Sequence, residues 1–292
     1  MPDWSVIGRA IASATGETFK SAQATAVAGG CINQTFALHG QDGRQFFVKL
    51  NSSEQQPMFA AEAAGLHAID ATRTVRVPTV VCAGNTGTES FLVLEWLTLN
   101  GRADSARLGE QLARLHRHSA AQFGFAGNNF IGTTTQPNGQ THDWIAFWRE
   151  QRVGYQLQLA AKNGHTDLLH TGEKLLEALP RFFEGYTPAP CLLHGDLWGG
   201  NHAFLTDGTP VIFDPAAYYG DRECDLAMTE LFGGFDAAFY AAYRAAWPLD
   251  AGYRVRKTLY NLYHILNHAN LFGGGYARQA DDMMQRLLAE VR

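Results

Sequence analysis

The chain has 292 residues, 46% of them hydrophobic and 17% charged, with a formal net charge of −5. This balance supports a sizeable core and excludes general disorder, and the acidic sign with no lysine or arginine run gives no electrostatic case for nucleic acid. No stretch approaches the roughly 20 apolar residues that cross a bilayer, and the start Met1-Pro2-Asp3-Trp4-Ser5 lacks the charged and apolar regions of a secretory signal.

In chain order, a short helix over Trp4–Ala14 precedes three strands, Ala24–Val27, Gln34–Leu38 and Gln45–Leu50, separated by turn signals such as Gly40-Gln41-Asp42-Gly43. Met58–Ile69 carries apolar residues at helical spacing. Strands Thr79–Cys82 and Phe91–Trp96 follow. From Ser105 the pattern turns helical: Ala106–His118, Asp143–Ala161, Thr166–Phe183, Asp221–Gly233, Ala237–Trp247, Tyr253–Leu271 and Ala277–Val291, interrupted near Leu192–Phe213 by two apolar runs around a polar loop. This predicts an α+β protein with a β-rich N-terminal lobe over residues 1–98 and a larger, mostly helical lobe over residues 99–292. The cysteines Cys31, Cys82, Cys191 and Cys224 form no C-x-x-C pair, which argues against structural zinc or a disulfide framework and fits a reducing cytoplasm.

The strongest chemical signal is His194-Gly195-Asp196-Leu197-Trp198-Gly199-Gly200-Asn201. Phosphoryl transfer needs positioned charge and a group that orients the attacking hydroxyl. Asp196 suits that proton acceptor and Asn201 an oxygen ligand for Mg²⁺. The apolar run Val211-Ile212-Phe213 ends in Asp214, a carboxylate for the same ion. Either acid alone would read as a turn or cap residue; it is the combination that favours chemistry.

The same scheme needs a lysine on a strand and an acid on the next helix. Phe46-Phe47-Val48-Lys49-Leu50 supplies Lys49, an expensive ammonium to leave unpaired among apolar neighbours, and Glu62 is its natural partner. Upstream, the turn containing Gly29, Gly30, Cys31 and Asn33 would cover phosphates with backbone N–H groups; alone it reads as an ordinary hairpin. Phe91–Leu97 would meet the adenine through its backbone near Glu95 and Leu97, or be a plain core strand.

The order of Lys49, Glu62, the His194–Asn201 loop and Asp214 resembles the protein-kinase-like superfamily, in its aminoglycoside and choline phosphotransferase branch. Within that branch the sequence is similar to the fructosamine kinase (ketosamine-3-kinase) family over nearly its whole length. The similarity runs through Gly30-Cys31-Ile32-Asn33, Phe47-Val48-Lys49, Met58–Leu66, Asn129-Phe130-Ile131-Gly132 with Gln136-Pro137-Asn138-Gly139, the loop itself, Asp214–Glu223, Asp225–Met228, Leu231–Phe235 and Phe272–Tyr276. The resemblance implies a bilobal kinase-like fold with ATP and Mg²⁺ in its cleft. It also implies phosphorylation of the C3 hydroxyl of a ketosamine, free or protein-bound, as a deglycation step.

Trp198 is expected to offer a flat face to the sugar, His194 to brace the loop and Asp225 to accept from the loop backbone, against core-packing and helix-cap alternatives. Asp221 and Arg222 would line the substrate mouth or form a surface ion pair, and Tyr276, beyond a glycine triplet, would close the cleft. His264 and His268 have a metal-capable spacing but no third ligand, so packing or solvent is favoured. The nearest alternatives are a kinase of another small alcohol (an aminoglycoside, choline or a thioribose) and a non-catalytic nucleotide-binding module.

Overall fold

Asp3 opens the first helix as a cap: in the computed structural model, which describes residues 2–27 and 32–291, its carboxylate accepts from the Ser5 and Val6 backbone N–H groups. Helix α1 (Trp4–Thr15) ends at Gly16, whose φ of 72° is the left-handed conformation that glycine adopts freely. Strands β1 (Ser21–Ala26), β2 (Gln34–Gly40) and β3 (Gln45–Ser52) follow, then α2 (Gln56–Ala71), β4 (Val80–Asn85) and β5 (Glu89–Glu95). The strands form one antiparallel sheet in the order β1-β2-β3-β5-β4.

Alternation along β3 decides what this sheet can carry. Phe46, Val48 and Leu50 enter a core with Ile7, Ile11, Phe19, Leu38, Phe91 and Val93. Lys49 is thereby turned to the opposite face, between Thr35 of β2 and Leu92 of β5.

The helical part begins with α3 (Ser105–His116), followed by the hairpin of β6 (Asn129–Ile131) and β7 (Thr134–Gln136). Helices α4 (Trp144–Trp148) and α5 (Gly154–Lys162) are joined through a π-helical turn over Arg149–Val153, and Asp143 caps the first of them. Helix α6 (Thr166–Ala178) runs into a 3₁₀ turn where Pro180 stands. Strand β8 (Cys191–Leu193) leads into the polar loop, which is followed by the hairpin β9 (His202–Phe204) and β10 (Pro210–Ile212). Strand β11 (Tyr218–Gly220) then pairs with β8, and α7 (Glu223–Leu231), α8 (Ala237–Ala246), α9 (Tyr253–Phe272) and α10 (Gly275–Glu290) complete the chain.

By internal contact there are two compact units: residues up to Asp104 with His202–Pro215, and Ser105–Asn201 with the chain from Ala216 onward. The β9–β10 hairpin joins the first unit through backbone bonds, Gly101 N–H to Phe204 at 3.0 Å and Ile212 N–H to Arg76 at 3.0 Å. The helical unit is built around aromatic packing, with Trp144 and Trp148 against Tyr260 at 6.1 and 4.9 Å. Helix α9 is buried along most of its length. Among the described residues no helix is long and apolar enough to cross a membrane.

His264 lies within the buried part of α9. Burial, followed by the charges of His268 and Arg152, outweighs Asp225 and pushes its imidazole down to about 3. The unfolded chain takes up this proton near pH 6.5, so below that pH it binds a proton that the folded chain does not. The stability involved is fully present above pH 6.5 and is lost as pH falls toward 3. Between pH 8 and pH 5 this one group should remove about 2 kcal/mol. In urea unfolding at both pH values, His264→Gln should shrink the difference by that amount; an unchanged difference would contradict the assignment.

Candidate active site

Lys49 is 4% exposed, and an ammonium at such a position needs compensating charge. Glu62 of α2 receives its Nζ at 2.7 Å, and the Asp214 carboxylate receives the same Nζ. Burial alone would lower the Lys49 pKa; Asp214 and Glu62 outweigh it and raise it, so the ammonium stays charged. Glu62 responds differently: burial raises it, Lys49 pulls it down and Asp214 pushes it up again, leaving it at about 7. Asp214 follows β10 with a φ of 57°, a conformation few residues other than glycine hold without support. Its side chain is 41% exposed, so one oxygen serves Lys49 while the group still faces solvent.

In the helical unit the loop after β8 is fixed from beneath by one carboxylate. Asp225, near the start of α7, accepts the His194 N–H at 2.7 Å and the Gly195 N–H at 2.8 Å. His116 of α3 donates to it or shares a proton with it at 3.1 Å and meets the Tyr243 hydroxyl at 2.8 Å through its other nitrogen. Burial raises the Asp225 pKa, but the His116 contact, the charges of His116 and His194 and the Gly195 N–H outweigh it and hold the carboxyl below its ordinary value. Gly195 has a φ of 84°, and a Cβ there would collide with the Ala216 carbonyl oxygen. Only glycine satisfies both demands.

The acidic side chain of the loop is half-buried. Asn201 donates its amide to the Asp196 carbonyl at 2.8 Å and to the Asp196 carboxylate at 3.3 Å. Its nitrogen is so used, and an amide oxygen is a ligand type that suits a hard cation. Asp196 N–H bonds His194 Nδ1 at 3.2 Å. Trp198 is 40% exposed, its ring lying over Gly200 where any Cβ would strike it.

Other expected residues fall into distinct places. Gly29, Gly30 and Cys31 lie outside the described residues. Asn33 accepts from Asn51 at 2.8 Å, bracing the strand beside Lys49. Glu95 is tied to Arg76 and to the Thr79 N–H, and Leu97 is half-buried. Asp221 departs from the expectation of a substrate mouth: it is 1% exposed and accepts from Tyr186 at 3.0 Å and Tyr260 at 2.5 Å. Arg222 is also buried, donating to the Trp247 and Pro248 carbonyls at 3.2 and 2.6 Å. Both are interior anchors because the hydroxyls and carbonyls around them replace water. Tyr276 sits in the first turn of α10, 5.1 Å from the His268 ring.

Sequence reasoning gave no role to His116, Arg152 or Tyr263. It met Asn129, Gln136 and Asn138 only as a stretch of family similarity. All six are buried and hydrogen-bonded, although Arg152 keeps its Nε without a partner, and none belongs to a local pattern that marks it.

A sheet unit with a paired lysine, together with a helical unit carrying an aspartate–asparagine loop, is the plan of a protein-kinase-like phosphotransferase. The solved complex of the aminoglycoside phosphotransferase APH(2″)-IIa with streptomycin and ATP shares the fold, with a TM-score of 0.66 at 12% identity over 98% of this chain and 97% of that one. The chain belongs to the fructosamine kinase family, whose model matches residues 3–290. A Synechocystis relative named "Probable ketoamine kinase" is 50% identical over 98% of this chain and 97% of its own. The chloroplastic protein-ribulosamine 3-kinase of Arabidopsis thaliana is 45% identical over 90% of this chain and 83% of its own. A candidate fructosamine-3-kinase of Haemophilus somnus, solved as a crystal structure, superposes with a TM-score of 0.89 at 29% identity, covering 98% and 97% of the two chains. The protein is therefore an enzyme, a kinase that uses ATP.

Asp225→Asn places an amide where two backbone N–H groups and an imidazole need an anion. Its kcat should fall at least about tenfold, with loss of a buried charged acceptor costing roughly 3 kcal/mol of stability. Steady-state kinetics and thermal unfolding measure the two effects; wild-type values in both would exclude Asp225 as the anchor of the loop.

Proposed function

We propose that this enzyme phosphorylates the C3 hydroxyl of a ketosamine, the adduct of a sugar with an amine, using ATP and Mg²⁺. The observation that carries this reading is the loop in which Asn201 clips Asp196 through both its carbonyl and its carboxylate, within a chain of the fructosamine kinase family. Residues 1–98 act as the nucleotide-binding lobe and residues 99–292 as the catalytic and substrate-binding lobe.

Asp196 orients the substrate hydroxyl and accepts its proton. The hydroxyl oxygen forms a bond to the γ-phosphorus, the bond from that phosphorus to the β–γ bridging oxygen breaks, and ADP leaves with that electron pair. Lys49, kept charged by Glu62 and Asp214, holds the nucleotide phosphates. Asn33 belongs to the same nucleotide site, and the Glu95–Leu97 backbone meets the base.

For Mg²⁺ the donor chemistry is suitable: Asp214 has a solvent-facing carboxylate and Asn201 an amide oxygen, both hard ligands of the kind this ion takes alongside phosphate and water. Bound there, it would neutralise charge on the transferring phosphate. Trp198, exposed and lying over Gly200, packs against the sugar, and Tyr276 borders the substrate. Among ketosamines, ribulosamine comes first, since the Arabidopsis relative bears that substrate in its name; erythrulosamine and fructosamine adducts follow. A phosphate on C3, beside the C2 carbonyl, leaves once C1 and C2 enolise, and the amine is then freed. This is a deglycation step, and free thiols at Cys82, Cys191 and Cys224 support a reducing, cytoplasmic setting.

Asp196→Asn should lower kcat by about 10³-fold while leaving ATP affinity within about twofold, because only the proton acceptor is lost. The assay is ADP release with ribulose–lysine, erythrulose–lysine, fructose–lysine and an aminoglycoside as acceptors. Near-wild-type turnover by the variant would remove Asp196 from its role. Turnover of the aminoglycoside alone would replace the ketosamine reading with that of another alcohol kinase.

A further inference from the structure

One buried amide of the helical unit holds the backbone on which the proposed chemistry depends. Gln136, at the end of β7, is fully buried and uses every polar atom of its side chain. Its Nε2 donates to the Ala216 carbonyl at 3.1 Å and to Asn129 Oδ1 at 2.7 Å, and its Oε1 accepts from the Tyr263 hydroxyl at 2.8 Å. Such a set of partners leaves the amide a single orientation.

The partners are themselves braced. Asn129 Nδ2 donates to the next carbonyl, that of Ala217, at 2.8 Å, so two successive peptide oxygens are held by the β6–β7 hairpin. Asn138 Nδ2 donates to Asn129 Oδ1 at 2.9 Å, and Arg152 Nη2 donates to Asn138 Oδ1 at 2.7 Å. Arg152 lies in the π-helical turn, and its guanidinium stands 4.5 and 4.1 Å from the Phe147 and Tyr218 ring centroids. A π turn inside an α-helix redirects a side chain and recurs at functional sites.

What the latch grips is mechanistically placed. Ala216 stands two residues after Asp214 in the chain. Its N–H bonds the His194 carbonyl at 2.9 Å, and its carbonyl fills the space left by the missing Cβ of Gly195. The Gln136 network is thus adjacent to the loop that bears the proton acceptor.

We propose that Gln136 is a positioning residue for phosphoryl transfer: its amide fixes the Ala216 peptide and, through the Ala216–His194 bond, holds in register the loop that carries Asp196. The role in turnover rests on the ketosamine kinase reading; the latch itself does not. Reactions that depend on alignment lose about 100-fold for displacements near 1 Å, so loosening this register should lower kcat far more than substrate or nucleotide affinity.

The test compares full-length wild type, Gln136→Met, Asn129→Ala and a control, Tyr253→Phe. The control loses a 2.6 Å bond to Glu230 in the same unit, with no partner in the loop. Hydrogen exchange read by mass spectrometry should show exchange in segments 194–197 and 216–218 accelerated at least about tenfold by Gln136→Met and Asn129→Ala, and unaffected by Tyr253→Phe. With ribulose–lysine as acceptor, kcat should fall about 10- to 100-fold in the two latch variants, with KM for ATP and for the acceptor within about threefold. Unchanged exchange in those segments overturns the latch. Faster exchange with wild-type kcat overturns the positioning role. A wild type that phosphorylates no ketosamine defeats the substrate reading, while the exchange data still decide the latch. If Gln136→Met fails to fold, Asn129→Ala carries the same comparison.

Discussion

A single buried carboxylate, that of Asp225, holds the polar loop in its working shape. Two consecutive backbone N–H groups, those of His194 and Gly195, point to it, and His116 supplies a third contact. A loop cannot be buried with its amides unpaired, so the acid on α7 is what allows a turn between β8 and β9 to run through the interior. Replacing the acid would leave those groups unsatisfied, whereas replacing a surface acid would cost little. Gly195, Ala216 and Gln136 all take positions that presuppose this anchored turn.

The sheet unit solves a different electrostatic problem. Lys49 is buried among apolar residues and remains charged because two carboxylates share it. That arrangement gives Glu62 an elevated pKa and gives Asp214 a fixed place despite its left-handed backbone. Each unit therefore contains a buried charge held by several partners. Such over-determination marks positions where geometry matters to chemistry.

Much of this was legible in the sequence, for physical reasons that can be named. A lysine inside Phe46–Leu50 demands a counter-charge, an aspartate and asparagine five residues apart span one short turn, and the strand before Asp214 announces itself by its apolar run. Long helices were equally clear, since α3 and α9 repeat their apolar positions over several turns. The hairpin β6–β7 was not, because three-residue strands contain no measurable period. His116 meets Asp225 across 109 positions, and no local pattern encodes such a contact. Asp221 misled for a related reason: a charged residue reads as exposed, and only the tertiary fold reveals the two tyrosine hydroxyls that make its burial tolerable.

Family membership narrows the chemistry to a kinase, and the proposed acceptor is a hydroxyl oriented by Asp196. Where on the sugar the phosphate lands is the central claim, and nuclear magnetic resonance of the product tests it most directly. Ribulose–lysine labelled with ¹³C would be incubated with the enzyme and Mg²⁺-ATP, and phosphorus–carbon couplings read before the adduct decays. The predicted result is phosphate on the C3 oxygen, with couplings centred on C3 and its neighbours and later release of inorganic phosphate and lysine. Phosphate on another carbon, or ADP formation with no phosphorylated sugar, would contradict it.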